Sequence, residues 1–339
     1  MPSTRSAQVA EAGGPFSIVD SELPLPGRGQ VRLAIEACGV CRSDAGFINA
    51  GFPGVTFPLV PGHEIAGRID AVGDDVEGWS AGDRVAVGWF GGNCGVCLPC
   101  REGDFIHCER LQVPGWAYPG GYAEAVVVPV SALARIPEEF TAVEAAPMGC
   151  AGVTTFNALR RSVARPGDLV AVLGLGGLGH LGVQFAAKLG FETVAVARGA
   201  DKAEAAAGLG AHHYVDSTAG DAAGRLQALG GAKVVLATAA NSDAMSAMLD
   251  GLRHNGELLV VGATPEPLQM SPFQLIGASR SVRGHPSGTS QEVEETLCFA
   301  ALTGVRPRTE TRPLDEVGQA YERMMSGDAR YRMVLTTGR

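Results

Sequence analysis

The chain of 339 residues is longer than one hydrophobic core usually supports, and 46% hydrophobic with 19% charged residues is the composition of a folded globular protein, so two domains are expected. A formal net charge of -9 with scattered Lys and Arg offers no basic face, which leaves nucleic acid and acidic lipid out of the expected partners. Met1 to Ala12 lacks a signal-peptide pattern and no run reaches the roughly 18 to 20 apolar residues of a spanning helix, so a cytoplasmic address without a membrane is expected.

From Val31 to about Val130, short β-branched and apolar runs are broken by Gly, Pro and Asp. Gln30–Glu36 and Asp83–Val87 read as strands of a β-rich domain with long loops. From Pro166 the texture changes. Apolar strands at 169–173, 193–197, 234–238 and 258–261 alternate with helical stretches at 178–189, 201–209 and 245–252, the pattern of βαβ units around a parallel sheet. After a Gly/Pro/Ser segment at 284–289 come a helix near 292–302 and a last strand, 332–336. That tail either completes the parallel sheet or returns to the first domain.

Cys94, Cys97 and Cys100, with Cys108 eight positions on, form a CxxCxxC cluster plus one. Without a secretion signal, eight cysteines point to thiols used for metal or chemistry rather than disulfides. Zn²⁺ accepts tetrahedral thiolates, and four of them close the shell, so this cage reads as a structural zinc site. An iron–sulfur cluster is the rival reading, but Cys108 precedes Glu109 rather than the proline of bacterial cluster runs.

Three further ligand types stand apart: Cys41 in CGVCRSD, His63 in PGHE and Cys150 in MGCAG. Two thiolates and an imidazole leave a fourth tetrahedral position for water or substrate oxygen, as a catalytic zinc requires. Asp44 is placed to orient His63, and Glu64 lies beside the metal. Cys38 and Cys298 have no evident partners and read as small buried hydrophobes. Trp89, Phe90 and Trp116 border the four-cysteine lobe and read either as core or as a substrate slot suited to medium-chain, allylic or aryl compounds.

Asp168–Leu173 runs into Gly174-Leu-Gly176-Gly177-Leu-Gly179, a strand entering a GxGxxG turn ahead of a helix. This context marks a dinucleotide-binding turn, with pyrophosphate at the helix N-terminus. An NAD-preferring site carries an acid about 20 residues on, at the second strand's end. Here Ala197 and Arg198 stand there, which favours NADP, unless Asp201 reaches back from the next loop.

In this order, GVCRSD, PGHE, the four-cysteine lobe, CAGVT and GLGGLG closely resemble the zinc-containing alcohol dehydrogenases of the medium-chain dehydrogenase/reductase superfamily, over essentially the whole chain. The resemblance implies an α/β protein. Its GroES-like β-rich catalytic domain is built from 1–150 and the returning 285–339, around a Rossmann doubly wound parallel-sheet domain at 151–284. It implies two zinc ions per subunit, one held by Cys41, His63 and Cys150 with Glu64 able to approach, the other by Cys94, Cys97, Cys100 and Cys108. It assigns Ser43 to accept the alcohol proton, Arg42 to the pyrophosphate, Thr154 to the nicotinamide and Lys202 to the adenosine ribose. Taken with Arg198 and the aromatic residues, the activity it implies is hydride transfer between NADP(H) and a primary aliphatic, allylic or aryl alcohol or aldehyde, by a homodimer or homotetramer. One position departs from the family: a histidine usual five residues after the first zinc ligand is Gly46, so the proton path beyond Ser43 is expected to run through water. A polyol or sugar dehydrogenase of the same fold is the first alternative, against which Cys150 stands where that branch has a carboxylate. A non-catalytic dinucleotide-binding redox sensor is the second.

Overall fold

The computed structural model describes residues 3–338. Its strands in chain order are β1 (Ser3–Val9), β2 (Phe16–Glu22), β3 (Gln30–Val40), β4 (Ile65–Val72), β5 (Arg84–Val87), β6 (Ala125–Pro129) and β7 (Ala134–Arg135). There follow β8 (Leu169–Leu173), β9 (Glu192–Ala197), β10 (His213–Asp216), β11 (Ala232–Ala237), β12 (Leu252–Val260), β13 (Ser281–Gly284), β14 (Thr309–Pro313) and β15 (Arg332–Thr336). The chain divides into two compact units, one running to Val153 and resuming at Ser287, the other spanning Thr154–Pro286.

The first unit is built on a seven-stranded sheet in the order β14-β15-β3-β4-β5-β7, with β6 also paired to β3. The tail therefore returns: β15 pairs antiparallel with β3, Leu335 opposite Cys38. β3 explains why one strand can organise this sheet. From Gln30 to Glu36 it alternates half-buried and buried residues, and from Ala37 to Val40 every residue is buried. Leu33, Ile35, Val85, Val87, Tyr122, Met333 and Leu335 meet in its core.

In the second unit β10-β9-β8-β11-β12-β13 form a parallel sheet, and β8 is buried at all five positions, as a strand covered on both faces must be. Counted from β8 the order is 3-2-1-4-5-6, so the chain reverses direction across the sheet between β8 and β11, where ligands of such sheets bind. The stretch read as a helix over 245–252 is a helix at Ser242–Ala247, started by Asn241 accepting from the Ala244 amide at 2.7 Å. A tight turn over Met248–Gly251 ends it, and Leu252 already belongs to β12. Met248 and Leu249 before the turn and Leu252 after it keep the run apolar and hide that boundary from periodicity.

Candidate active site

The sheet of the first unit gathers the three separated ligand residues. Cys41 follows β3, His63 and Glu64 precede β4, and pairing of Cys38 with Ile65, with the Gly39 amide on the Glu64 carbonyl at 2.8 Å, sets them side by side. β5 pairs with β4 and is followed by Gly88, which packs on the segment leading to Cys150: a Cβ on Gly88 would lie 2.0 Å from the Gly149 carbonyl oxygen. Only glycine permits that approach. The side-chain ligand atoms of Cys41, His63, Glu64 and Cys150 all lie within 4.8 Å of one another, and all four residues are buried.

Asp44 holds the imidazole. Its Oδ1 is 2.7 Å from His63 Nδ1, and because a carboxylate only accepts, Nδ1 carries the proton. In the neutral ring Nε2 is then the lone-pair nitrogen; it is buried and has no hydrogen-bond partner, the state of a nitrogen built to ligate. Burial alone would depress the imidazole, but Asp44 and Cys41 outweigh it and raise its pKa. The paired thiols split. Cys41 is held well below the usual thiol range, chiefly by a hydrogen bond with Cys150, and that contact together with burial pushes Cys150 up. Glu64 is raised to about 7 by burial, opposed by Arg332, whose Nε donates to Oε2 at 2.9 Å and whose Nη2 contacts Oε1. Two thiols, one free imidazole nitrogen and a nearby carboxylate fit zinc with an open position.

Ser43 caps the short helix Asp44–Ile48 and makes no side-chain capping bond, so its hydroxyl is not used by the helix; Arg42 beside it is exposed. A Cβ on Gly46 would fall 2.4 Å from the Phe52 ring, which occupies the direction any side chain there would take. Phe52 belongs to an aromatic group with Phe47, Trp89 and Trp116, whose neighbouring ring centroids lie 4.9–6.4 Å apart. Trp89 stands edge-on to His63, 5.1 Å between centroids at 87°. Of the three aromatics singled out in sequence, Trp89 and Trp116 join this group, whereas Phe90 is core at 3% exposure.

The four lobe cysteines converge, their sulfurs within 4.8 Å of one another. Cys94 and Cys100 sulfurs lie 4.0 Å apart and those of Cys97 and Cys108 3.8 Å apart. A tetrahedron of Zn–S bonds of about 2.3 Å has edges of about 3.8 Å. Backbone amides of Cys94 and Arg110 point at Cys108 Sγ, both at 3.3 Å. Amides of Val96 and Cys97 bring Cys94 down to about 5, while burial raises Cys108 to about 11. His107 turns away from the cage to Asp104, at 2.8 Å.

In the second unit the glycines of the turn do three different things. A Cβ on Gly174 (φ +99°) would meet Thr238, and one on Gly179 would lie 1.9 Å from the Gly174 carbonyl oxygen, whereas one on Gly176 would meet nothing within 4 Å. Gly174 makes the tight turn, Gly179 lets helix Gly179–Lys188 pack on it, and Gly176 with neighbouring Gly177 leaves backbone open to a ligand, a cradle that fits pyrophosphate. Beyond β9, Arg198 is exposed and Lys202 half-buried. Asp216 accepts from the Gly199 amide (2.9 Å) and from the Thr218 amide and hydroxyl (2.8 and 2.7 Å), and those bonds lower its pKa. Thr154 is buried on helix Ala151–Arg160.

Cys38 is buried as expected, but Cys298 is not: it lies exposed on helix Ser290–Thr303, where the buried face is formed by Val293, Thr296, Leu297 and Ala300. Arg332 and Tyr122 belong to no motif that marks them in the sequence. A lone cation in the apolar run 331–335 was a signal for Arg332; nothing local marked Tyr122.

The alcohol dehydrogenase GroES-like domain matches residues 27–138 and the zinc-binding dehydrogenase domain residues 177–301. "Alcohol dehydrogenase notN" of Aspergillus sp. (strain MF297-2) is 41% identical over 337 residues, covering 99% of both chains. "Aldehyde reductase YahK" of Escherichia coli (strain K12) is 36% identical over 335 residues, covering 95% of this chain and 94% of its own. Among solved structures, a cinnamyl alcohol dehydrogenase from Sorghum bicolor superposes with a TM-score of 0.90 at 29% identity, covering 99% of this chain and 98% of the other. With the fold, the two cysteine-bearing clusters and these likenesses, the chain belongs to the zinc-containing alcohol dehydrogenases of the medium-chain dehydrogenase/reductase superfamily.

Proposed function

We propose that the protein is an NADP(H)-dependent alcohol dehydrogenase and aldehyde reductase acting on primary alcohols and aldehydes with an allylic, aryl or medium aliphatic body, with two zinc ions per subunit. The observation that carries this reading is the buried, unbonded His63 Nε2 grouped with Cys41 and Cys150 and backed by Asp44.

Zinc in that position supplies Lewis acidity that lowers the pKa of a bound alcohol or polarises an aldehyde, and the dinucleotide supplies the hydride acceptor or donor. Cys41, His63 and Cys150 hold the metal, and Asp44 fixes the imidazole tautomer. Ser43 takes the alcohol proton through a hydroxyl that its helix leaves unused. With Phe52 in the space above Gly46, no side chain carries the proton onward from that position, and water does. Trp89, Phe52 and Trp116, packed on the buried Phe47, give the substrate body an aromatic wall beside His63 and exclude water from it. Cys94, Cys97, Cys100 and Cys108 hold the second ion, with all four places filled by protein.

For the cofactor, Gly174, Gly176, Gly177 and Gly179 form the pyrophosphate turn, and the family likeness carries over the roles of Arg42 for the pyrophosphate, Thr154 for the nicotinamide and Lys202 for the ribose. The NADP preference is supported by Ala197 ending β9, by exposed Arg198 as a partner for a 2′-phosphate, and by the engagement of Asp216 with Gly199 and Thr218. Asp201 supports NAD instead: its carboxylate folds over Gly199, 2.4 Å from where a Cβ would be. A panel of aryl, allylic, aliphatic and polyol compounds with both cofactors decides. The reading expects kcat/KM for NADPH above that for NADH and aryl aldehydes above sugars; the reverse order contradicts it.

A homo-oligomer is supported by the second unit's edge strand β13 and the nearby helix Pro272–Ile276, on which Phe273 and Ile276 are 85% and 74% exposed. F273D with I276D then lowers the mass measured by light scattering toward the monomer. All eight cysteines are unpaired, which suits a reducing compartment such as the cytoplasm. Among the described residues no helix is long and apolar enough to cross a membrane.

A further inference from the structure

The Asp44 carboxylate is more heavily tied than a simple His–carboxylate pair. Oδ1 meets His63 Nδ1, and Oδ2 accepts from the Cys41 amide at 3.0 Å and from the Tyr122 hydroxyl at 2.9 Å. Asp44, His63 and Tyr122 are each fully buried, so no water competes for these bonds.

Tyr122 itself is fixed from several sides. Its amide donates to the Pro61 carbonyl at 2.9 Å and its carbonyl accepts from the Ala7 amide at 2.7 Å. Its ring lies against Gly62, the residue before His63: a Cβ there would fall 2.5 Å from Tyr122 Cδ1, and Gly62 has φ +105°. One side chain thus packs on the backbone that carries His63 and holds the carboxylate that orients the His63 ring. Phe at this position would keep the packing and lose only the bond to Oδ2.

We propose that Tyr122 is a positioning residue of the catalytic metal site, whose hydroxyl locks the Asp44 carboxylate so that His63 presents Nε2 to the metal in one orientation. The inference rests on Cys41, His63 and Cys150 holding a zinc ion. Without the hydroxyl, Oδ2 keeps only the Cys41 amide and the carboxylate can turn about its Cβ–Cγ bond, loosening the imidazole. Groups that orient a metal-bound histidine in this way are typically worth about 10–100-fold in metal affinity or activity.

The test is the rate at which each zinc ion passes from the intact protein to a chromogenic chelator, with the four-cysteine site as internal reference. Y122F is expected to release one ion about 10–100-fold faster and the other at the wild-type rate, with a shifted visible spectrum when the fast site is loaded with Co²⁺. D44N is expected to release the same ion fast, and adding Y122F to D44N to change that rate no further. Wild-type release from Y122F, or a full effect of Y122F in the D44N background, would overturn the proposal. Wild-type protein with a single zinc ion, unchanged in C41S, would overturn the open-site reading and this inference together, an outcome distinct from slow release by Y122F.

Discussion

Arg332 Nε donates to Glu64 Oε2 at 2.9 Å, a contact 268 residues apart in sequence that ties the last strand of the chain to the segment carrying His63. Arg332 is 4% exposed and Glu64 not at all, so each depends on the other to be charged inside the protein. Removing one partner of such a pair typically costs about 3–5 kcal/mol, because the survivor is left buried and uncompensated. R332M is expected to lose stability on that scale in chemical denaturation, and E64L with R332M to recover most of the loss. Equal stability of R332M and wild type would show that the pair does not anchor the tail.

The dinucleotide turn separates folding from binding. G176A places a methyl group in open space and is expected to leave the thermal midpoint nearly unchanged while weakening dinucleotide binding, measured by fluorescence titration. G179A drives a methyl group onto the Gly174 carbonyl and is expected to lower the midpoint itself. Matching stability losses in the two variants would contradict these roles.

Much of this site was legible because its parts are local. CxxCxxC, GxGxxG after a strand, and the residues at the ends of β3 and β9 fall within short windows, and the βαβ alternation gave the parallel sheet. What was not legible is what only the sheet brings together. Arg332 reaches Glu64 through the β15–β3 pairing, and Tyr122 reaches Asp44 from a loop held by Ala7 and Pro61. Phe52 filling the space at Gly46 explains an odd residue that sequence could only report. The error at Cys298 has the same origin: the residue type suggests burial, and the helix face decides it.

The four-cysteine lobe has little regular structure, a short helix Leu98–Arg101 and a turn at Phe105–His107, so the zinc ion proposed there would be what holds it. C108S is expected to lose one zinc ion per subunit by elemental analysis and to unfold at lower temperature. Unchanged zinc content would remove this site from the account.

Glu310 accepts from Arg323 and from the Arg330 amide, and the Arg323 bond lowers its pKa below the ordinary 4.5. A depressed carboxyl contributes stability above the unfolded-state value and loses it as pH falls through the folded one. Wild type is therefore expected to exceed E310Q in urea midpoint at pH 7, with the gap narrowing as pH drops below 4.5. A gap that widens on acidification would contradict the sign.

The proposed function makes the clustered Cys41, His63 and Cys150 the feature that would distinguish a catalyst from a dinucleotide-binding sensor. Aldehyde-dependent oxidation of NADPH, followed at 340 nm in wild type and C41A with dinucleotide binding measured alongside, tests it most directly. Loss of turnover in C41A with binding retained is the predicted result; turnover persisting at the wild-type rate, or none in zinc-replete wild type across the substrate panel, would contradict it.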